Sequence, residues 1–262
     1  MPSDLIIFTD LDGTLLDHHS YSYAAAQSAL SRVVKESFPL VLSSSKTAAE
    51  MAALARELPA SPAALIVENG AGVVWSGEDT ATGGRHGALM EALARVTPEL
   101  RALFEGFADL GPEGVARLTG LPPAEAALAS RRDWSEPGIW RGSEEARAAF
   151  LAELAAQGVT ARQGGRFLTL SFGADKADRM KEVADRIAPT AHVLALGDAP
   201  NDIGMLEAAD TGIIIANPHG AGIPPLPGEE TGRIRRAGEG PAGWNAAVLA
   251  FIDELTSANR QA

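Results

Sequence analysis

Leu5-Ile6-Ile7-Phe8-Thr9-Asp10-Leu11-Asp12-Gly13-Thr14 is the stretch that decides the fold. Its apolar half reads as a buried strand, and two carboxylates fall just past the strand's end. Side chains at i and i+2 of extended backbone point the same way, so Asp10 and Asp12 address one pocket. Gly13 permits a tight turn and a close backbone approach to an anion. A carboxylate pair held in this way suits a nucleophile beside a general acid/base. A calcium loop also spaces aspartates, but it needs a third oxygen ligand before its glycine and a glutamate further on.

Composition narrows the partners. The chain has 262 residues, 46% of them hydrophobic, enough for a large core or a core with an inserted domain. Its net charge of -12 disfavours nucleic acid and anionic membrane. An anionic substrate would therefore need a locally positive pocket, built from a metal ion, lysine, arginine and backbone N–H groups. There are no cysteines, which removes disulfides, thiolate chemistry and cysteine zinc sites. With no membrane-length apolar run and no leader pattern, the expected location is the cytoplasm.

Working outward, strands and helices alternate. A helix is expected near Tyr23–Ser37 and a strand at Leu40–Leu42, running into Ser43-Ser44-Ser45-Lys46. Thr47 with Glu50 is a capping-box pattern, opening a helix to about Leu58. A strand at Ala64–Val67 leads into the turn Glu68-Asn69-Gly70-Ala71, followed by Val73–Trp75. This rhythm predicts a doubly wound parallel α/β sheet, Rossmann-like, with ligands at the strands' carboxyl ends. A polar, glycine-rich crossing around Asp79–Arg85 opens an α+β insertion. Within it, helices are expected near Gly87–Thr97, Glu113–Leu118 and Pro123–Arg131, then one capped by Ser143 and ended by Gly158. A half-buried strand is expected at Arg166–Ser171. The core resumes with a strand at His192–Leu196, a helix near Asp202–Ala209, a strand at Gly212–Ala216 and a final helix near Trp244–Leu255. The glycine- and proline-rich Gly220–Gly243 reads as a surface loop. The resulting division is 1–80 and 172–262 for the core and 81–171 for the insertion.

Gly197-Asp198-Ala199-Pro200-Asn201-Asp202 repeats the logic of the first motif: an apolar strand, then two carboxylates and a carboxamide. Such oxygen ligands suit magnesium. Several aspartates around one pocket repel one another and raise their own pKa values unless a cation is bound. Asp198 and Asp202 are also residue types that cap a helix, and for Asp202 the two readings are evenly balanced.

Taken together, these motifs resemble the haloacid dehalogenase-like superfamily. Asp10-x-Asp12-Gly-Thr resembles its first motif, Ser44 its second, Lys176 its third and Gly197-Asp198-x-x-Asn201-Asp202 its fourth. The resemblance implies that Asp10 attacks phosphorus to form an aspartyl-phosphate. Asp12 would protonate the leaving alcohol and then activate water, while Ser44 and Lys176 hold the phosphoryl oxygens. It places Mg2+ on Asp10, the backbone carbonyl of Asp12 and Asp198, with Asp202 as a further candidate.

One branch is resembled across nearly the whole chain. Ser44-Ser45-Lys46-Thr47, Val67-Glu68-Asn69-Gly70, Thr119-Gly120-Leu121, Arg132-Asp133-Trp134-Ser135-Glu136-Pro137, Gly164-Gly165-Arg166-Phe167 and Gly240-Pro241-Ala242-Gly243-Trp244 occur in the order seen in mannosyl-3-phosphoglycerate phosphatases. That branch carries a type-II cap after its third core strand and hydrolyses mannosyl-3-phosphoglycerate to mannosylglycerate, a compatible solute. The partner implied is a small anionic sugar phosphate. Lys46 and Ser45 would meet its anionic oxygens, and Arg132 and Arg166 its carboxylate, since guanidinium pairs bidentately with planar anions. Glu68, Asn69 and Asn201, with Ser135 and Glu136 of the cap, are the candidates for its hydroxyls. The chain departs from the branch at Leu168-Thr169, where an aromatic and a histidine are usual, and at Ala177, where a glycine is usual. Alternatives are a glucosyl-3-phosphoglycerate or other sugar-phosphate phosphatase, and a non-catalytic phosphosugar-binding protein. The five histidines show no metal-ligand spacing and are expected to be bystanders, and nothing in the chain signals an oligomeric state.

Overall fold

The computed structural model describes residues 4–77, 84–164, 166–173 and 175–259, the side chains of 258 and 259 excepted. The expected crossing at Asp79–Arg85, with the 80/81 boundary, lies mostly outside these residues, as does Gly165 of the quoted cap motif.

In chain order the elements are β1 (Leu5–Thr9), α1 (Gln27–Glu36), β2 (Leu40–Ser43), α2 (Ala48–Glu57), β3 (Ala64–Val67) and β4 (Gly72–Trp75). Then come α3 (His86–Ala94), α4 (Pro98–Arg101), β5 (Phe104–Gly106), α5 (Phe107–Thr119), α6 (Pro123–Ala129), β6 (Ser135–Trp140), α7 (Glu144–Ala155), β7 (Thr160–Gln163) and β8 (Leu168–Ser171). The chain closes with α8 (Lys176–Ile187), β9 (His192–Gly197), α9 (Ile203–Ala208), β10 (Thr211–Ala216), β11 (Ile234–Glu239) and α10 (Gly240–Asn259). No helix among the described residues is long and apolar enough to cross a membrane.

Two compact units result. One takes in the described residues of Met1–Ser44, Ala55–Ser76 and Asp175–Ala262; the other, those of Ser45–Leu54 and Gly77–Ala174. The first holds a seven-stranded sheet in the order β11-β10-β9-β1-β2-β3-β4. Its strands are parallel except β4, which returns antiparallel along β3. Every residue of β1 is buried, as a strand covered on both faces requires. Ile6 and Phe8 share a cluster with Met180 and Val183 of α8 and Met205 and Leu206 of α9. Thr9 belongs to the opposite face by alternation, and there its hydroxyl accepts from the Trp244 indole of α10 at 3.0 Å. Helices on both faces make the sheet doubly wound. Strand order runs outward in both directions from the β1–β9 pair, so ligand chemistry belongs at the carboxyl ends of those two strands.

The second unit has a separate antiparallel sheet, β5-β6-β8-β7. Phe104, Phe150, Leu168 and Leu170 pack with Leu89 and Leu93 of α3 to make its core. The capping signals act as expected here. Thr47 and Glu50 exchange backbone-to-side-chain bonds at 2.8 and 3.1 Å, and Ser143 accepts from Ala146 N–H. The Leu168–Ser171 strand alternates buried and half-buried positions.

One expectation fails. Gly220–Gly243 is not a surface loop throughout: β11 extends the core sheet by pairing parallel with β10, and α10 starts at Gly240. As an edge strand β11 buries fully only Ile234, and Arg235 and Arg236 face out, so it carries no apolar alternation.

Candidate active site

Asp10 is the first residue beyond β1, and its N–H continues the ladder to Leu196 of β9 at 2.9 Å. The chain then turns at Gly13, whose φ is 83°. A Cβ there would lie 2.5 Å from Asn217 Nδ2 and 2.9 Å from Asp198 Oδ2, so glycine lets the first loop close against the fourth. Thr14 completes the contact, its hydroxyl donating to Asp198 Oδ1 at 2.7 Å. Asn217, just past β10, donates to Asp198 Oδ2 at 2.6 Å. Both oxygens of Asp198 are thus oriented by neutral donors.

Asp202 is fully buried and folded back on its own turn, with Oδ2 accepting from the N–H groups of Asp198 and Ala199 at 3.1 Å each. It does not cap α9 with its side chain. Lys176 is the first residue of α8, and its ammonium donates to Asp10 Oδ1 at 2.6 Å, Asp202 Oδ1 at 2.7 Å and the Ser43 carbonyl at 3.2 Å. Its three protons are matched by three acceptors. The start of α8 is fixed by Asp175, which accepts from Ala177 and Asp178 N–H, while Asp178 answers on the Asp175 N–H. Ala177 lies in the first turn of α8 and has no positive φ that would call for glycine.

One oxygen each of Asp10, Asp198 and Asp202 lie within 4.8 Å of one another. Three buried carboxylates against one lysine leave a negative excess, the condition a divalent cation relieves. Burial raises Asp10 well above the ordinary carboxylate range; Lys176 opposes this, while Asp202 and Asp198 add to it. Burial also raises Asp198, against the bonds from Asn217 and Thr14. Burial pulls the Lys176 ammonium down, but Asp10 and Asp202 more than reverse it and keep it charged.

Of the remaining candidates in this unit, Ser44 is buried at the end of β2 and bonds through its N–H to Ile66 at 2.9 Å. Asn69 accepts from Asn201 at 3.1 Å, so the loops after β3 and β9 meet. Glu68 and Asn69 both have positive φ, 52° and 59°, as the tight turn after β3 requires. The side chain of Asp12 is half-buried beside this group and is not one of the three converging carboxylates.

In the second unit, Ser45 and Lys46 precede α2, and Arg132 donates to the Ser45 and Ala129 carbonyls at 3.2 and 3.0 Å. Arg166 is exposed, reaching the Leu118 carbonyl at 3.5 Å. Ser135 and Glu136 are buried in β6. The Glu136 carboxylate accepts from Ala108 N–H at 2.7 Å and pairs with His86 Nε2 at 2.7 Å. His86 is half-buried against this carboxylate. Sequence reasoning also missed Asn217 and gave Thr14 no role of its own. The signal for Asn217 was a polar residue immediately beyond the buried strand Thr211–Ala216.

The family model for haloacid dehalogenase-like hydrolases matches residues 7–83 and 142–221, more than half of the chain. The chain is a haloacid dehalogenase-like hydrolase. The matched residues carry Asp10, Asp12, Ser44, Lys176, Asp198 and Asp202. The fold of this hydrolase is shared with solved structures along nearly its whole length. TM0651 from Thermotoga maritima aligns with a TM-score of 0.66 at 15% identity, covering 94% of this chain and 96% of that one. BT1666 from Bacteroides thetaiotaomicron, described among phosphatases of the superfamily, gives 0.60 at 20% identity, covering 95% and 96%. BT4131, described as a subclass IIB sugar phosphatase, gives 0.60 at 16% identity, covering 94% and 98%.

Proposed function

We propose that this hydrolase is a magnesium-dependent phosphatase of a small sugar phosphate, and that the substrate is mannosyl-3-phosphoglycerate, split to mannosylglycerate and phosphate. The observation that carries the chemistry is the buried set of Asp10, Asp198 and Asp202 crossed by Lys176. Sugar-phosphate chemistry is supported by the fold shared with a sugar phosphatase. The choice of sugar rests on the motifs that run through both halves of the chain.

A carboxylate oxygen of Asp10 attacks phosphorus, and the bond from phosphorus to the glycerate oxygen breaks. Asp12 gives its proton to that oxygen. Water then attacks the phosphorus of the aspartyl-phosphate, Asp12 takes a proton from it, and the bond to Asp10 breaks to release phosphate. Lys176 fixes the nucleophile and, giving up its long bond to the Ser43 carbonyl, meets the phosphoryl oxygens together with Ser44. Asp10, Asp198 and Asp202, with the backbone carbonyl of Asp12, would hold magnesium, which supplies positive charge opposite the phosphoryl group. Residues 1–80 and 172–262 form the catalytic core in this reading, and 81–171 the cap. Ser45, Lys46, Arg132 and Arg166 meet the anionic groups, while Glu68, Asn69, Asn201, Ser135 and Glu136 shape the hydroxyl sites. The bonds from Ala108 N–H and to His86 hold the Glu136 carboxylate in place for that part.

The second reading is glucosyl-3-phosphoglycerate: β8 carries Leu168-Thr169 instead of the branch's aromatic and histidine, so the motif that would mark the mannosyl compound is incomplete at this strand. Phosphate release from the mannosyl and glucosyl compounds, sucrose 6-phosphate and 3-phosphoglycerate, with magnesium and with chelator, tests both readings. Magnesium-dependent preference for the mannosyl compound, abolished in D10N, is expected. Equal turnover of both glycosyl compounds removes the sugar assignment, and release that survives in D10N removes the covalent mechanism.

A further inference from the structure

Three histidines to which the phosphatase reading gives no part meet at one place in the first unit. His18 and His19 stand in the loop after β1, and His219 lies beyond β10. Their ring centres are 5.2 Å (His18–His19), 4.9 Å (His18–His219) and 4.6 Å (His19–His219) apart. Glu239, the last residue of β11, places Oε1 3.8 Å from His219 Nε2, too long for a hydrogen bond and short enough for one ion to bridge. His18, His219 and Glu239 line a cavity of about 320 Å³ together with Asp17 and Asn217.

Both segments are held from their backbones. Asp17 Oδ1 accepts from His19 N–H at 3.2 Å and from Ser20 N–H at 2.8 Å, and Asn217 Oδ1 accepts from His219 N–H at 3.0 Å. The rings are thereby gathered by chain geometry. Imidazoles at an exposed position gain little from each other's company, and protonating two of them sets like charges side by side.

The spacing fits a shared ion. A metal–nitrogen bond of about 2.1 Å along the lone pair puts a ring centre roughly 3.2 Å from the metal. Two imidazoles then have centres about 5.2 Å apart on a tetrahedral ion and about 4.5 Å apart at right angles on an octahedral one. The His18–His19 separation equals the tetrahedral value, and the other two pairs are shorter by 0.3 and 0.6 Å, so those rings widen slightly as they turn onto a four-coordinate ion. The rings do not yet converge: His18 and His219 lie 11° from parallel, and among the described residues only the aspartate group has its ligand atoms already together. Turning exposed rings about their side-chain bonds is a fast, low-barrier motion.

We propose that His18, His19, His219 and Glu239 bind one divalent transition cation of the zinc class, four-coordinate, through ligands distinct from the aspartates, with Asn217 joining the two groups. Imidazole nitrogens favour zinc, cobalt and nickel, whereas the all-oxygen aspartate group favours magnesium, so the two sites sort ions by ligand type. This proposal does not depend on the phosphatase reading.

The test is calorimetric titration of zinc chloride into the full chain with magnesium in large excess, so that the aspartates are filled. One zinc per chain is expected, with binding lost in the triple variant H18A/H19A/H219A and kept in D198N. Absence of zinc uptake by the unaltered chain, unchanged binding by the triple variant, or loss of binding in D198N overturns the proposal. Cobalt(II) added to the unaltered chain gives a reading free of any folding defect. Four-coordinate nitrogen ligation absorbs strongly in the visible, and a weak, oxygen-type octahedral spectrum overturns the site equally.

Discussion

At the scale of single residues, Asp198 shows how a metal ligand is aimed. Thr14 and Asn217 each engage one of its oxygens, so the orientation of the carboxylate is set before any ion arrives. Removing an orienting partner of this kind typically costs 10- to 100-fold in metal affinity (about that range). N217A is therefore expected to raise the magnesium concentration needed for half-maximal activity by roughly that factor, with little change at saturating magnesium; a magnesium titration of initial rates measures it. Lys176 is tied to the fold as well as to the chemistry. K176M leaves Asp10 and Asp202 buried without their cation, a loss of about 3–5 kcal/mol for a broken buried pair. Denaturant unfolding in chelator should show that loss, and magnesium should recover part of it. Asp10 and Asp198 were legible in the sequence because each follows an apolar strand within a recognisable pattern, whereas Lys176, an ordinary surface residue when read alone, stood out only by its place in the family's set of motifs. Asn217 was not, because a lone asparagine before a proline has the chemistry of any turn until Gly13 and Asp198 are seen against it.

At the scale of elements, the position of Lys176 is delivered by the join between the β3 turn and α8. Gly70 has φ of 90°, and a Cβ on it would overlap the backbone of Asp175, the residue that caps α8. G70A must therefore either strain the turn or push the helix start, and Lys176 with it, away from Asp10. Expected is a fall in melting temperature of several degrees, from a strain of about 1–3 kcal/mol, together with a loss of turnover larger than that of D175A. The latter removes only the cap, worth about 1 kcal/mol; thermal melts and rates of the two variants compared side by side decide it. The same scale shows which elements could be read from sequence. Strands buried on both faces, such as β1 and β9, announce themselves as apolar runs. β11 does not, since one side of it ends the sheet and its arginines face out. β6 was hidden differently: it contains Pro137, a strand breaker, which is tolerated where pairing with β5 stops at Gly138 while β8 continues alongside.

At the scale of the whole molecule, an acidic chain of net charge -12 gathers three carboxylates in its interior, and the consequence is a stability that depends jointly on pH and magnesium. The Asp10 carboxyl is raised well above its ordinary value, chiefly by burial, and Asp198 is raised for the same first reason. A raised carboxylate holds its proton more tightly in the folded state than in the unfolded one. Over the interval from the unfolded pKa of about 4 up to the raised folded values, the folded state binds more protons, so stability falls as pH rises. Lys176 works the other way only at high pH: its raised ammonium contributes stability that is complete below the unfolded lysine value and is lost as pH climbs beyond it. Magnesium must displace the carboxyl protons to bind, so its affinity grows across the window in which the metal-free chain weakens. The magnesium-induced rise in melting temperature should therefore be small near about pH 5 and larger near about pH 7.5, and chelator should leave the chain less stable at the higher pH. Melting curves at the two pH values, with magnesium and with chelator, make the comparison. In D198N the pH dependence of the magnesium effect should flatten, because one of the protons it displaces is gone. A magnesium shift of equal size at both pH values would mean that Asp10 and Asp198 are already ionised without the metal, and that the buried charge is balanced by something other than the ion.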